Sequence, residues 1–271
     1  MVRSLRSSKL QKKHRRQLIL KISLVLIGVT ILIAGPAFLT HASFLSVRDV
    51  TVIGNSVVPT SDVQKIVTES LRGNYLKVFS RSNIALYPKD EIITRLKGSF
   101  SRFESVAISR ASLHALSVHV VERKQKALWC QTLERSNCYF IDDHGYIFDR
   151  AIEFPEGIYF VYTGLIEGDP ITKQFLPDAD FIKAQTLING LTMLGLKSRS
   201  FAYLADASFE IGLEGGEKVL VSLQDDPQKV LSNLESVLRD PSLHIIKDGE
   251  LTVASLDARY GNKVVIKKKQ I

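Results

Sequence analysis

Asp142-Asp143-His144 is the cluster most suggestive of chemistry in this chain, since two carboxylates and an imidazole are the groups of a hydrolytic metal site or an acid–base pair. Their spacing works against both. Adjacent residues on a turn rarely converge on one point, and no His or Cys at ligand spacing accompanies them. His114, His119 and His244 are scattered singly, and the serines lack the Gly-x-Ser-x-Gly context of a nucleophile elbow. Gly212 to Gly216 lacks the Gly-Lys-Ser/Thr that cradles phosphate. The expectation is a non-enzymatic protein, with no catalytic residue, metal, cofactor or small-molecule substrate.

The two cysteines, Cys130 and Cys138, pose a separate question. If Gln131 to Asn137 is a hairpin loop they sit opposite each other, and an oxidising compartment would join them in a disulfide. The alternative is Cys130 packed beside Trp129 as a small hydrophobe, with Cys138 incidental.

The elements that carry these residues follow from period and punctuation. Val50 and Val52 alternate with polar neighbours before Gly54-Asn55, a strand and turn. Ser61 and Gln64 form a capping box for a helix bearing Val63, Ile66, Val67 and Leu71, with Gly73 behind it. A second helix opens with Pro88 at its first position, shows Ile92, Ile93 and Leu96 on one face, and is closed by Gly98. Strands are expected over Val106 to Arg110 and Leu116 to Val121. The order strand, helix, helix, strand, strand implies a compact α+β unit.

Farther on, Tyr139 to Ile141 and Tyr146 to Phe148 flank the Asp142 to Gly145 turn. Phe209, Ile211 and Leu213 run into Gly215-Gly216, and Val219, Val221 and Leu223 run out of it, a strong hairpin signal. One helix starts near Asp178, with Phe181, Ala184, Ile188 and Leu191 on a face. Another is capped by Asp226, carries Pro227 at its first position and Val230, Leu231, Leu234 and Leu238 along its stripe, and stops before Pro241. The last strands, Leu251 to Tyr260 and Lys263 to Ile266, meet at Gly261-Asn262. The second half is therefore expected to be β-rich with packed helices. An exposed edge strand there would be a template for another chain to add a strand.

All of this follows an apolar run, Leu18 to Leu39, that carries no charge from Ile22 onward. A run of about 18 or more apolar residues reads as a spanning helix, because helical geometry satisfies every peptide group within the segment. Ile22, Leu24, Val25, Leu26, Ile27, Ile31, Leu32, Ile33, Phe38 and Leu39 are the expected membrane-spanning residues. Arg3, Arg6, Lys9, Lys12, Lys13, Arg15, Arg16 and Lys21 precede or open the run and no acid occurs before Asp49, so the N-terminus is expected in the cytoplasm and the remainder outside it. A cleaved signal peptide ending near Thr40-His41-Ala42 is the rival, but its apolar region is usually about 7 to 15 residues, shorter than this one.

The net charge of +8 has the same origin. Taking those eight from 36 Lys and Arg leaves 28, equal to the 28 Asp and Glu. The exported part is neutral, so a topology signal and anionic lipid explain the basicity better than nucleic acid does. Typical domain sizes suggest two domains after the anchor, and the pattern of elements sets the bounds: a tail (1–17), a membrane helix with its flank (18–42) and domains at 43–124 and 125–271.

The strand–helix–helix–strand–strand order, the opening Val50-x-Val52-x-Gly54-Asn55 and the closing Val120-Val121-Glu122-Arg123-x-x-x-Ala127-x-Trp129 resemble the POTRA domain of the FtsQ/DivIB bacterial cell-division proteins. That family's layout of basic tail, membrane helix, POTRA domain and β domain covers essentially the whole chain. The match departs at Leu113 and Gln125, where the family commonly has proline. Leu256-Asp257-Ala258-Arg259-Tyr260-Gly261-Asn262 is similar to the family's C-terminal motif, with Ala258 where leucine is usual.

The resemblance implies a single-pass scaffold in the bacterial cytoplasmic membrane, at the division septum. It implies that the C-terminal edge recruits an FtsB–FtsL-like pair and that the POTRA domain meets other septal proteins. It places partner contacts on Leu256, Arg259, Tyr260, Lys263 and Val264, with Arg259 aimed at a partner carboxylate and Tyr260 as an amphipathic anchor. Asp257 and Arg259, two apart on one strand face, have the alternative of pairing with each other, worth about 0 to 1 kcal/mol. Two other readings are a POTRA protein of a secretion or envelope-assembly system and a membrane-anchored cell-wall hydrolase. The first would need further strands to close a barrel, and the second a convergent catalytic set.

Overall fold

The computed structural model describes residues 8–132, 137–151, 157–204, 208–247 and 250–269, excepting the side chains of residues 8–12, 33, 36 and 247. The chain divides into two compact units, Met1–Glu122 and Arg123–Ile271, and is of mixed α+β construction with a large β-sheet.

The first unit opens with α1 (Ser8–Thr40), whose Lys13–Thr40 portion is long and apolar enough to cross a membrane. Ile22, Leu24, Val25, Leu26, Ile27, Ile31, Leu32, Phe38 and Leu39 are all exposed on it, and the Ile33 side chain lies outside the described residues. The hydroxyls in the run are satisfied within the helix: Thr30 Oγ1 donates to Leu26 O at 2.8 Å and Ser23 Oγ to Leu20 O at 3.1 Å. Hydrocarbon requires that internal pairing.

There follow β1 (Asp49–Ile53), α2 (Thr60–Ser70), a small hairpin of β2 (Asn74–Tyr75) and β3 (Phe79–Ser80), α3 (Lys89–Ser99), β4 (Phe103–Arg110) and β5 (Ala115–Glu122). Three strands form a sheet in the order β1-β5-β4, with β1 parallel and β4 antiparallel to β5. Leu116 and Val118 of β5, Val63 and Val67 of α2, and Ile92 and Leu96 of α3 are fully buried together.

Several local expectations are corrected. The Ser61–Gln64 capping box does not form: α2 starts at Thr60, and Gln64 Nε2 donates to Val50 O of β1 at 2.7 Å, meeting a sheet carbonyl instead of its own helix end. Pro88 is the N-cap of α3 rather than its first helical residue, and Gly98 lies inside the last turn, with Phe100 ending the helix. The β2–β3 hairpin was not anticipated.

The Glu122 carboxylate closes the other end of this sheet by accepting the N–H groups of Ser56 (2.9 Å), Val57 (2.9 Å) and Val58 (3.0 Å). Burial raises its pKa, but those three bonds and the charge of Arg102 outweigh it and hold the group below its ordinary value of 4.5. A carboxyl depressed by folding stabilises above its unfolded pKa, and the contribution fades as pH falls through the folded pKa. Glu122→Gln is expected to cost about 1 kcal/mol at pH 7, since the site is partly solvated. It should also flatten the loss of stability below pH 4.5; equal acid sensitivity in variant and parent would remove Glu122 as the cause.

The second unit contains β6 (Ala127–Cys130), β7 (Cys138–Ile141), β8 (Ile147–Arg150), β9 (Val161–Thr163), α4 (Asp178–Met193), β10 (Ser198–Tyr203), β11 (Ser208–Leu213), β12 (Lys218–Ser222), α5 (Pro227–Leu238), β13 (Ile246–Lys247), β14 (Glu250–Leu251), β15 (Val253–Tyr260) and β16 (Lys263–Lys268). Nine of these strands form one sheet in the order β16-β15-β12-β11-β10-β9-β6-β7-β8. The helices cover one face, where Phe181, Leu187 and Leu191 of α4 and Val230 and Leu234 of α5 pack on Trp129, Phe201, Phe209, Ile211 and Val219. Leu187 takes the buried place expected of Ile188, which is only partly covered. Asp226 caps α5 by accepting from Gln228 N at 3.0 Å, with Pro227 behind it.

Candidate functional site

The Asp142 turn is a structural device. Asp142 is buried, and its Oδ1 accepts the N–H groups of His144 and Tyr146, both at 2.9 Å. Its Oδ2 accepts from Arg123, whose guanidinium lies 3.9 Å over the Tyr146 ring. Gly145, at φ +84°, completes the reversal between β7 and β8. Asp143 and His144 are exposed, with His144 Nε2 3.7 Å from Asp143 Oδ1, while the Asp142 carboxylate is turned inward onto Arg123 and the turn's own N–H groups, so it does not join them. Sequence reasoning missed Arg123 as the partner, because a buried carboxylate's cation comes from wherever the fold brings one.

Cys130 and Cys138 face each other directly in the β6–β7 pair, 4.2 Å apart at Cα, and are joined in a disulfide. Closing a loop of this length constrains the unfolded chain by about 2.5 kcal/mol. Alkylation of the denatured, unreduced protein is expected to add no mass, and alkylation after reduction to add two adducts; two adducts without reduction would show free thiols.

The exposed C-terminal hairpin is the candidate recognition surface. β16 ends the nine-stranded sheet, with β15 on one side and no strand on the other among the described residues. Gly261, at φ +65°, makes the turn, and Asn233 Nδ2 of α5 donates to Gly261 O at 2.8 Å, fixing the hairpin to the helix layer. Asn233 was another omission of the sequence reading, since polar residues on a helix give no sign of what they reach.

The residues expected to meet a partner divide into four groups. Leu256 is 1% exposed and faces the core, so its side chain cannot reach a chain added at the edge; strand alternation places it and Ala258 on the buried face. Arg259 is committed to Asp257, with Nε donating to Oδ1 at 2.8 Å and Nη2 to Oδ2 at 2.6 Å. That fork depresses the Asp257 pKa, against the opposing effect of burial, and raises that of Arg259. In the chain by itself the mutual pairing forms, and Arg259 is bound to Asp257.

Tyr260 and Lys263, by contrast, are exposed and opposite each other at the hairpin end. Val264 is partly buried against the core, while its neighbour Val265, not anticipated, is 53% exposed and lies opposite Asp257. The available surface is therefore β16 with Tyr260, Lys263 and Val265. At the far end of β16, Lys269 Nζ is 2.7 Å from Glu217 Oε1. Burial raises the Glu217 carboxyl, but the Lys269 bond, its own backbone N–H and the lysine charge hold it below the usual range.

No protein-family model matches the chain, and no curated protein matches it.

Proposed function

We propose that this chain is a bitopic membrane scaffold of the FtsQ/DivIB type, which links division proteins at the septum of a bacterium and takes up an FtsB–FtsL-like pair by strand addition at β16. The observation that supports this best is the outer side of β16, which has no neighbouring strand among the described residues, at the end of a nine-stranded sheet, in a hairpin that carries the family-like motif. Strand addition draws affinity from main-chain hydrogen bonds and specificity from alternate side chains. Here Tyr260 and Val265 would supply the apolar contacts and Lys263 the charge.

In this reading α1 is a retained anchor, with the N-terminus cytoplasmic and both units outside. Tethering to the plane of the membrane raises effective concentration, so modest contacts suffice to hold an assembly. The first unit would serve as a POTRA domain for further septal partners, and neither unit would be an enzyme or bind nucleic acid.

The test is binding of the detergent-solubilised full chain to the extracytoplasmic FtsB–FtsL segments of the same organism. A Tyr260→Ala, Val265→Glu double variant, altered only at exposed positions, is expected to bind at least about 10-fold more weakly, the equivalent of 1.4 kcal/mol. Undiminished binding would move the partner off this edge, and no binding by the parent would overturn the partner assignment.

A further inference from the structure

Resting on the reading that α1 spans the membrane, we infer that the β2–β3 hairpin dips its tip, Tyr75 to Val78, into the outer leaflet of the same bilayer beside the anchor helix. The first argument is the turn itself. Val78 N donates to Tyr75 O at 2.9 Å, and the two central residues, Leu76 and Lys77, both have positive φ, 49° and 63°. In water such a turn favours Asn-Gly, because only small residues with local hydrogen bonds enter that backbone region easily. Here its tip is a leucine that is 86% exposed, flanked by exposed Tyr75 and Val78. An aqueous tip would be unfavourable in both backbone conformation and apolar exposure; hydrocarbon removes the second disadvantage.

The second argument is position. The hairpin is tied to the end of the anchor: Ser80 N donates to Thr40 Oγ1 at 3.3 Å, and Asn83 Nδ2 to Thr40 O at 3.2 Å, around a buried Thr40. Lys77 and Val78 share an open, largely apolar recess of about 640 Å³ with Val29, Ala37, Phe38 and His41 of α1. Val29 stands roughly 16 Å before Thr40 along the helix axis, at about 1.5 Å per residue. That is close to half the ~30 Å hydrocarbon core. A recess that continues the lipid-facing surface of a spanning helix to this depth is filled by acyl chains.

The polar groups around the tip suit the boundary. Lys77 can extend its ammonium to the headgroups while its stem stays in the apolar layer. Tyr75 is an interfacial residue type, and the Arg81 guanidinium lies 5.4 Å over its ring. The hairpin thus gives the first unit a second hold on the bilayer, restricting its tilt about the anchor.

The test uses the full chain in vesicles of phosphatidylcholine and phosphatidylglycerol, with Cys130 and Cys138 left as the disulfide so that one introduced thiol carries an environment-sensitive NBD probe. Leu76→Cys and Val78→Cys report the hairpin, Leu26→Cys the anchor and Leu165→Cys, at an exposed position, water. We expect the Leu76 and Val78 probes to be blue-shifted, quenched by doxyl-labelled lipid and protected from aqueous iodide, as at Leu26. Quenching by iodide as at Leu165, with Leu26 still in lipid, would overturn the inference while leaving the anchor. Protection from both quenchers would mean that protein covers the tip, and would overturn it equally. A water-exposed probe at Leu26 would bring down the spanning reading itself.

Discussion

Gly54→Ala is expected to destabilise the first unit by about 2 to 4 kcal/mol, among the largest effects of any single methyl group in this chain. Gly54 follows β1 at φ +93°, a region L-residues rarely enter, and an added Cβ would stand 2.1 Å from the Val120 carbonyl oxygen. The obstacle is backbone of the neighbouring strand, so no side-chain rotation relieves it. Either β1 withdraws from β5 or the turn that presents Ser56, Val57 and Val58 to Glu122 is displaced. Hydrogen exchange of the Val50, Val52 and Val118 amides should then accelerate by roughly 30-fold or more if they exchange through opening of this unit, since each 1.4 kcal/mol is a factor of ten. Unchanged protection would show that the turn accepts a different path.

Phe201→Ala should produce the largest loss in the second unit, about 3 to 5 kcal/mol. Phe201 is fully buried on β10, in the middle of the sheet, with its ring centroid 4.6 Å from that of Phe209 and 5.9 Å from that of Tyr162. Its neighbours belong to strands fixed on both sides, and Tyr162 also packs on Phe181 at 5.3 Å, so the vacated volume has little means of closing. Trp129, the single tryptophan, is buried in the same cluster and reports unfolding of this unit. The urea midpoint of its fluorescence should fall by roughly 2 M for an m-value near 2 kcal/mol/M. A shift of only a few tenths would mean that the core collapses around the gap.

Where local pattern and fold agree, the agreement has a local cause. The Phe209 to Leu223 hairpin was legible because its apolar residues alternate on both sides of a glycine pair. The α5 start was legible because Asp226 and Pro227 act on backbone groups within a turn of themselves. The β2–β3 hairpin was not legible, because its turn carries Leu76 and Lys77 where glycine or asparagine would have marked it. Gln64 misled for a related reason: its position suits a capping box, but its amide donates to the Val50 carbonyl of β1. Gly190 gave no signal at all, yet its missing side chain leaves the space that Leu231 of α5 occupies, where a Cβ would come within 2.2 Å.

The candidate edge shows the division most clearly. Alternation from Val253 to Tyr260, the Gly261-Asn262 turn and the return strand are properties of neighbouring residues, and the sequence alone determined them, as it determined the length and apolarity of α1; the strand expected from Leu251 begins only at Val253, because Leu251 pairs with Ile246 of β13 instead. Period two defines two faces without saying which is buried, and no local pattern says which strand ends a sheet. The tertiary structure decided that Leu256 faces the core and that β16 is left at the edge with Tyr260 and Val265 exposed. Each of those outcomes depends on pairing β15 with β12 and on the helices α4 and α5 covering one face. Such contacts join residues far apart in the chain, and only the closed fold makes them.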